Sequence, residues 1–445
     1  MTTNRFSLLC FLFGIVTSHT YKTEHKAESV RHGVQDEEWA YVNVRPSAHM
    51  FYWLYKTTSA AGYKNAPLVM WLQGGPGGSS TGFGNFGEIG PLDVKLNARN
   101  NTWLSVASLL FVDNPVGAGY SYVDKPSAYT SNVDQIAKDL LTLFISFMKH
   151  TPDFQKVPFY IFSESYGGKM TAAFSQVLYS AIQRGELNCD FRGLAMGDSW
   201  ISPVDSTLSW SHYLYVNSLV DQAGRELVNA SASKTAMYVH QEDWVKATAE
   251  WATTEDVVEM TTYGVNFYNI LKWGAPENVR LAHRQDLSII EKLYARHVAP
   301  FQNDDLSALM NGPIREKLKI IPKNVTWGGQ SGEVFQHQQM DFMKPVTQIV
   351  NDLIENTPLS VVVYSGQLDL IVDTFGTEAW VYRLKVADEF RKAKRDDMKV
   401  GVINNGYVKK TKNFSFYWIL SAGHMVPADN GPAALDMLMR ITKSK

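Results

Sequence analysis

The stretch Phe159-Tyr-Ile-Phe-Ser-Glu-Ser165-Tyr-Gly-Gly168 decides the fold. Its apolar run leads into Ser-x-Ser-x-Gly and then into a segment with a helical pattern. A sharp turn of this kind between strand and helix, the nucleophile elbow, exposes a serine hydroxyl above the edge of a sheet. Gly167 supplies the small residue that tight packing requires on one side of Ser165, whereas Ser163 stands where glycine is usual. Taken alone, the motif fits equally well a serine that caps the start of a polar helix.

Apolar runs that end in glycine-rich or polar turns predict further strands on both sides of this turn. Strands that are buried on both faces read as continuous apolar runs rather than as alternating ones. After Ser165 the spacing of the apolar residues predicts a helix that ends near Gly185. Strands that alternate with helices indicate a mostly parallel α/β sheet. The predicted strands cover residues 68–72, 109–113, 159–163, 194–196, 361–364 and 416–420.

The character of the chain changes between about residue 203 and residue 319. Strand-like runs become sparse there, and helix-forming segments that contain Trp and Tyr replace them. A chain of 445 residues fits one large α/β domain that carries an insertion. We therefore predict a helical cap at residues 203–319, which divides the core into residues 20–202 and 320–445.

Two later loops carry the groups that a nucleophilic serine needs. A serine hydroxyl becomes a good nucleophile when a base takes its proton and an acid orients that base. Asp369 follows one predicted strand, and His424 follows another in a turn that contains glycine and proline. The order Ser, Asp, His along the chain is that of the α/β-hydrolase fold. We therefore predict this fold and a catalytic triad of Ser165, Asp369 and His424, with Asp373 as the alternative acid.

The glycine-rich run Trp71-Leu-Gln-Gly-Gly-Pro-Gly-Gly-Ser-Ser80 follows a predicted strand and offers backbone N–H groups. The tetrahedral intermediate of acyl transfer needs such donors for its negatively charged oxygen. We predict that the N–H groups of Gly75 and Tyr166 form this oxyanion hole. A phosphate-binding loop is the alternative, but the run lacks the lysine or dinucleotide spacing of such loops. Nothing in the sequence indicates a metal or an organic cofactor.

The composition is that of a well-cored globular protein with a nearly neutral surface. Hydrophobic residues make up 45% of the chain and charged residues 19%, and 42 Lys and Arg oppose 44 Asp and Glu. No basic excess indicates nucleic acid as a partner, and no charge block indicates a membrane surface. The composition therefore gives no indication of a nucleic-acid or membrane partner.

The N-terminal segment has the pattern of a signal peptide over residues 1–19. Arg5 precedes a short apolar run, and small polar residues follow it. The run is too short for a membrane anchor, which needs roughly 20 residues. Because Cys10 lies in this segment, the mature chain would hold Cys189 alone and no intramolecular disulfide. Sequons for N-glycosylation support a secreted or lysosomal protein, and they lie at Asn100, Asn229, Asn324 and Asn413.

Further motifs join the glycine-rich run and the serine turn in one pattern. They are Glu88-Ile-Gly-Pro91, Val112-Asp-Asn-Pro-Val-Gly-Ala-Gly-Tyr-Ser-Tyr122, Tyr364-Ser-Gly-Gln-Leu-Asp369 and Gly423-His-Met-Val-Pro427. As a set these segments resemble the serine carboxypeptidase family, above all its retinoid-inducible branch. They span nearly the whole mature chain in family order and are highly specific together.

The resemblance implies an exopeptidase that removes C-terminal residues from peptides or proteins through an acyl-enzyme. In that family an amide and a pair of carboxyls hold the substrate's terminal carboxylate, and the matching positions are Gln73, Gly74, Glu88 and Glu164. A carboxylate cannot bind beside two ionised glutamates, so at least one of them must be protonated. Closely paired carboxyls retain such a proton. Binding should therefore weaken as the pH rises, which favours activity at acidic pH.

Three positions depart from the usual family pattern. Gln73 replaces Asn, Gly78 replaces Cys and Ser163 replaces Gly. These departures bear on rate and specificity more than on the class of reaction. They leave two alternatives open: a catalytically weak binding or protective protein of the same fold, and an acyltransferase in which an alcohol intercepts the acyl-enzyme. A lipase is disfavoured, because the grip on a carboxylate would have no purpose there.

Overall fold

The structure is a computed structural model that describes residues 28–32, 35–273, 284 and 286–444. The predicted signal peptide at residues 1–19, with Cys10 in it, lies outside the described residues. Cys189 is a free, half-buried thiol. A search of the described part of the chain finds no helix whose length and apolar character would let it cross a lipid bilayer.

Within the described residues, strands from both halves of the chain form one sheet of twelve strands. In chain order they are β1 Glu28–His32, β2 Gln35–Arg45, β3 Ala48–Tyr55, β4 Leu68–Leu72, β5 Ser108–Val112, β6 Tyr122–Val123, β7 Pro158–Glu164, β8 Asp190–Gly197, β9 Ser360–Gly366, β10 Arg395–Val400, β11 Ile403–Thr411 and β12 Phe414–Ile419. The order across the sheet is β1-β2-β3-β5-β4-β7-β8-β9-β12-β11-β10, and β6 pairs with β3. Pairing is parallel from β5 to β12 and antiparallel on either side.

The six strands predicted from apolar runs are confirmed as β4, β5, β7, β8, β9 and β12. They form the parallel centre of the sheet, where both faces are covered. In β4 the side chains alternate between two cores: Met70 packs in the core on one face and Trp71 in the core on the other. Because parallel strands run in one direction, the loops that follow β4, β7, β8, β9 and β12 meet at the same edge of the sheet.

The described residues also form helices, some of which cover the two faces of this sheet. They are α1 Val133–His150, α2 Gly167–Gln183, α3 Pro203–Val216, α4 Gln222–His240, α5 Trp244–Thr262, α6 Ile289–His297, α7 Asp304–Leu309, α8 Arg315–Leu318, α9 Ser331–His337, α10 Gln339–Phe342, α11 Thr347–Asn356, α12 Thr374–Val381, α13 Ala387–Lys392, α14 Val426–Asp429 and α15 Gly431–Thr442. Phe144 of α1 and Phe174 of α2 pack in the core on one face, and Leu438 of α15 packs in the core on the other. The helix predicted after Ser165 is confirmed as α2.

The segment between β8 and β9 carries α3 to α11, so helices continue past residue 319 to Asn356. Three buried or half-buried carboxyls of α5 surround Arg296 of α6: its Nη2 lies 2.5 Å from both Asp256 Oδ1 and Glu259 Oε2, and its Nη1 lies 3.6 Å from Glu255 Oε2. This cluster joins two helices of the predicted cap. The cap boundaries at residues 203 and 319 stay a prediction.

Candidate active site

Ser165 lies on a strained turn between β7 and α2. Its φ angle is 62°, a left-handed conformation that is uncommon for a residue with a side chain. The surrounding backbone holds it there: the Ser165 N–H donates to Gly197 O at 3.1 Å, and the Trp200 N–H donates to Ser165 O at 2.9 Å. Strain that the neighbourhood maintains in this way is typical of functional sites. The Ser165 side chain is only partly buried at the edge of the sheet.

Two glycines let the backbone approach this turn closely. A Cβ atom on Gly167 would lie 2.2 Å from Leu72 O, and one on Gly74 would lie 2.4 Å from the Cβ of Ser165. Ser163, which departs from the family pattern, is fully buried, and its Oγ has no hydrogen-bond partner among the described residues. The turn therefore accommodates serine at that position, with an unsatisfied hydroxyl as the cost.

Asp369 and His424 lie side by side after neighbouring parallel strands. Asp369 follows β9, His424 follows β12, and His424 Nδ1 lies 2.8 Å from Asp369 Oδ2 with both side chains fully buried. A carboxylate at Nδ1 places the ring proton there and leaves Nε2 as an acceptor. His424 Nε2 has no partner among the described residues. Burial lowers the pKa of His424 to about 4.

Asp373, the alternative acid, has a different set of contacts. It is the N-cap of α12, where its carboxyl accepts the Gly376 N–H at 3.1 Å. Its other oxygen accepts the Ser209 hydroxyl at 2.5 Å. These contacts tie Asp373 to α12 and α3. The contact with His424 is made by Asp369, which favours Asp369 as the acid.

The predicted oxyanion donors, Gly75 N–H and Tyr166 N–H, make no hydrogen bond to other described residues. Both flank Ser165, because the Gly74 backbone lies against the serine turn and Tyr166 follows the serine directly. The Tyr166 side chain is anchored from the segment between β8 and β9, where its hydroxyl donates to Asp341 Oδ2 at 2.8 Å. Two free N–H groups near one serine are what a developing oxyanion requires.

Asp113, which sequence reasoning overlooked, anchors the glycine-rich loop. Its buried carboxyl accepts the Ser79 hydroxyl at 2.7 Å, the Thr81 hydroxyl at 2.7 Å and the Thr81 N–H at 3.0 Å. A Cβ atom on Gly78 would lie 2.2 Å from Gly74 O. The loop thus has no room for a cysteine at residue 78, and hydrogen bonds to Asp113 hold it instead of a disulfide.

Gln73, Glu88 and Glu164 meet in a buried cluster beside the serine turn. Gln73 Nε2 donates to Glu164 Oε1 at 2.9 Å, and Gln73 Oε1 accepts the indole N–H of Trp71 at 2.8 Å. Glu88 lies on a π-helical segment, Ser80–Ile89, and is 1% exposed. Its carboxyl is in side-chain contact with that of Glu164, and burial raises the pKa of Glu88 to about 8. Burial and the charge of Glu88 raise the pKa of Glu164 well above its usual range.

Two further residues of the site were missed by sequence reasoning. Tyr268 accepts the backbone N–H of His424 at its carbonyl, at 2.7 Å, and its ring packs edge-on against the imidazole at 5.0 Å between centroids. Asp198 follows β8, and its Oδ1 accepts the Gly366 N–H at 2.7 Å. Neither lies in a motif, and only the fold brings them to the site.

The amino-acid sequence of the chain is similar to those of known proteins. The protein-family model described as "Serine carboxypeptidase" matches residues 31–444. The chain belongs to the serine carboxypeptidase family. It is 51% identical over 417 residues to the human retinoid-inducible serine carboxypeptidase, and 50% identical over 416 residues to that of Mus musculus, in each case covering 92% of both chains. These relatives belong to the branch that the sequence motifs indicated.

The fold of this serine carboxypeptidase is also that of a solved structure. The crystal structure of Kex1(delta)p, a prohormone-processing carboxypeptidase from Saccharomyces cerevisiae, superposes with a TM-score of 0.74 and covers 92% of each chain. At 19% sequence identity the likeness concerns the fold. It agrees with the mostly parallel sheet and flanking helices, so the predicted α/β-hydrolase fold is confirmed.

The four sequons differ in accessibility. Asn100, Asn229 and Asn324 are exposed. Asn413 is half-buried, and its Nδ2, the atom to which a glycan would be attached, donates to the carbonyls of Ile354, Thr357 and Leu359 at 3.0–3.1 Å. A glycan on Asn413 would disturb these contacts.

Proposed function

We propose that this serine carboxypeptidase removes C-terminal residues from peptides or proteins through an acyl-enzyme, with its best activity at acidic pH. The observation that carries the proposal is the buried Glu88–Glu164 carboxyl pair, in which Glu164 directly precedes Ser165. An enzyme for neutral esters has no use for such a pair beside its nucleophile. A peptide with a free C-terminus brings a carboxylate that a protonated pair can bind through hydrogen bonds.

In the proposed reaction, Ser165 Oγ attacks the carbonyl carbon of the last peptide bond while His424 Nε2 takes the hydroxyl proton. Asp369 holds the imidazole in the required tautomer. The N–H groups of Gly75 and Tyr166 stabilise the oxyanion. The tetrahedral intermediate collapses, the C–N bond breaks, and His424 gives its proton to the leaving amine. Water then attacks the acyl ester with His424 again as base, which releases the shortened peptide and restores the serine.

Gln73, Gly74 and the carboxyl pair would hold the substrate's terminal carboxylate. A protonated carboxyl donates a hydrogen bond to that carboxylate. Because the Gly74 backbone lies against the serine turn, the terminal carboxylate and the last peptide bond of the substrate can occupy one site. Gln73 Nε2 already donates to Glu164, so the longer amide side chain orients the pair as well as the substrate. The substitution of Asn by Gln in this branch therefore has a direct structural role in the proposal.

The two pKa shifts define the pH range of the proposed activity. His424 is neutral, and thus a base, above its pKa of about 4. Glu88 keeps its proton up to its pKa of about 8, and the pair repels a carboxylate once it is ionised. We expect kcat/KM to rise as the pH increases through about 4 and to fall as it approaches 8.

The proposal is tested by the release of the C-terminal amino acid from N-blocked dipeptides between about pH 4 and 8. Ser165→Ala, which removes the nucleophile, is the matched control. We expect release that is fastest at acidic pH and absent in the variant. The absence of release by the folded, processed wild type at any pH would contradict the proposal and favour a binding protein or an acyltransferase.

We further propose that the signal peptide directs the chain to secretion or to the lysosome, and that glycans occupy Asn100, Asn229 and Asn324. These three asparagines are exposed, and an N-linked glycan needs an accessible surface site, which supports the proposal. Digestion of the secreted protein with an amidase that removes N-glycans should lower its mass. Mapping of the released sites should find Asn413 unmodified; full occupancy there would contradict the accessibility argument.

A further inference from the structure

The carboxyl group of Asp198 is fully buried near the Asp369–His424 pair and interacts with both residues. Asp198 follows β8 and Asp369 follows β9, and these two strands are parallel neighbours. The backbone fixes Asp198 on both sides, because its N–H donates to Tyr364 O at 2.9 Å and its Oδ1 accepts the Gly366 N–H at 2.7 Å. Asp198 Oδ2 is fully buried and receives no hydrogen bond from the described residues.

The Asp198 and Asp369 side chains are both fully buried, and their carboxyl groups interact directly with each other. Two ionised carboxyls are both acceptors, so such a contact in a buried site requires a proton between them. Asp369 is the better stabilised anion, since it faces His424 Nδ1 at 2.8 Å and accepts the Ile371 N–H at 3.1 Å. Asp198 accepts a single N–H. The shared proton therefore belongs on Asp198.

We propose that Asp198 is a positioning residue that stays protonated in the working enzyme and donates its hydrogen bond to the Asp369 carboxylate. The inference rests on the proposed role of Asp369. Such a donor would help to hold the Asp369 carboxylate in place against His424. It would also keep the buried site at a single negative charge, because the second carboxyl remains neutral.

The surroundings of the pair contain acids and phenols together with the imidazole. The titratable groups that act on Asp198 or on its partner are Glu164, Tyr213, Tyr268, Tyr364, Asp369, Asp373 and His424. None of these supplies a permanent positive charge. Burial and the charge of Asp369 raise the pKa of Asp198 well above its usual range, which agrees with the proton that the contact requires.

The test compares Asp198→Asn and Asp198→Gly with wild type. Asn supplies an N–H in place of the O–H, whereas Gly removes the group without backbone strain at a residue whose φ is 41°. Asp373→Asn is the control, because it makes the same change at a neighbouring buried carboxyl that caps a helix. The measurement is the second-order rate of inactivation by diisopropyl fluorophosphate. In that reaction the Ser165 oxygen–phosphorus bond forms, fluoride leaves and the hydroxyl proton passes to His424.

At pH 5 we expect Asp198→Asn and Asp373→Asn to react within about threefold of wild type, and Asp198→Gly to react about tenfold or more slowly. An Asn variant as slow as the Gly variant would overturn the proposal, because it would show that a negative charge is needed. A Gly variant as fast as wild type would also overturn it. The reagent has no terminal carboxylate, so the result is independent of C-terminal recognition.

Infrared difference spectroscopy tests directly whether the Asp198 carboxyl is protonated, and the measurement does not depend on catalysis. The wild type minus Asp198→Asn spectrum, recorded with the folded proteins at pH 5, should show the carbonyl band of a carboxylic acid. A band of an ionised carboxylate in its place would overturn the proposal. This readout remains decisive if Asp198→Gly fails to fold or if the wild type does not react with the reagent.

Discussion

Glu88→Gln should stabilise the protein at neutral pH and weaken its proposed function. Folded Glu88 has a pKa of about 8, compared with 4.5 for an ordinary glutamate. The folded state therefore holds more protons than the unfolded state between these values, and its stability falls as the pH rises through this range. At pH 7 this loss of stability amounts to about 3 kcal/mol, because each pH unit above the pKa of the unfolded state costs about 1.36 kcal/mol. Glutamine has no proton to lose, so the variant avoids this loss.

The assay is thermal or urea unfolding of wild type and variant at pH 4.5 and pH 7. We expect equal stability at pH 4.5 and, at pH 7, a variant whose free energy of unfolding is higher by up to about 3 kcal/mol, or a Tm higher by about 3 °C for a chain of this length. Glu316→Gln, at an exposed carboxyl, should show no such difference. A Glu88→Gln effect of the same size at both pH values would refute the reasoning.

Three further substitutions test other parts of the structure. Gly74→Ala should reduce kcat at least tenfold, because the added Cβ atom would lie 2.4 Å from the Cβ atom of Ser165. Peptide release by the variant at the wild-type rate would contradict this close approach. Arg296→Met should lower the free energy of unfolding by about 3–5 kcal/mol in urea, because it removes the cation that three carboxyls of α5 share. A loss below about 1 kcal/mol would show that the cluster is well solvated. Ser163→Ala should be neutral or stabilising by about 1 kcal/mol, because it removes a buried hydroxyl without a partner, and a destabilised variant in the same assay would show an unrecognised contact.

The parallel centre of the sheet could be predicted because strands that are buried on both faces consist of unbroken apolar runs. The outer antiparallel strands were not. β10 has the sequence Arg-Asp-Asp-Met-Lys-Val, and its side chains are mostly exposed. Pairing with β11, rather than an apolar pattern, places it in the sheet. Such a strand carries little local signal, and its position depends on the neighbour that it meets in the fold.

The residues of the candidate site also differ in whether the sequence could predict them. Ser165, Asp369 and His424 each follow a strand in a recognisable turn, so order and spacing were enough to propose them. Asp198 stands in no such turn, and its role depends on the lateral pairing of β8 with β9. Tyr268 comes from a segment of the helical region whose contact with His424 is set by tertiary packing alone. Contacts of this kind leave no periodic or motif signal in the sequence.

The central claim is that Ser165 acts on a substrate recognised by its free C-terminal carboxylate. The most direct test mixes equal amounts of a peptide and its C-terminal amide in one tube at pH 5 with the processed enzyme and follows both by mass spectrometry. We predict that the acid is shortened one residue at a time from its C-terminus, that the amide persists, and that Ser165→Ala leaves both intact. Equal consumption of the amide, or loss of residues from the N-terminus, would contradict the claim.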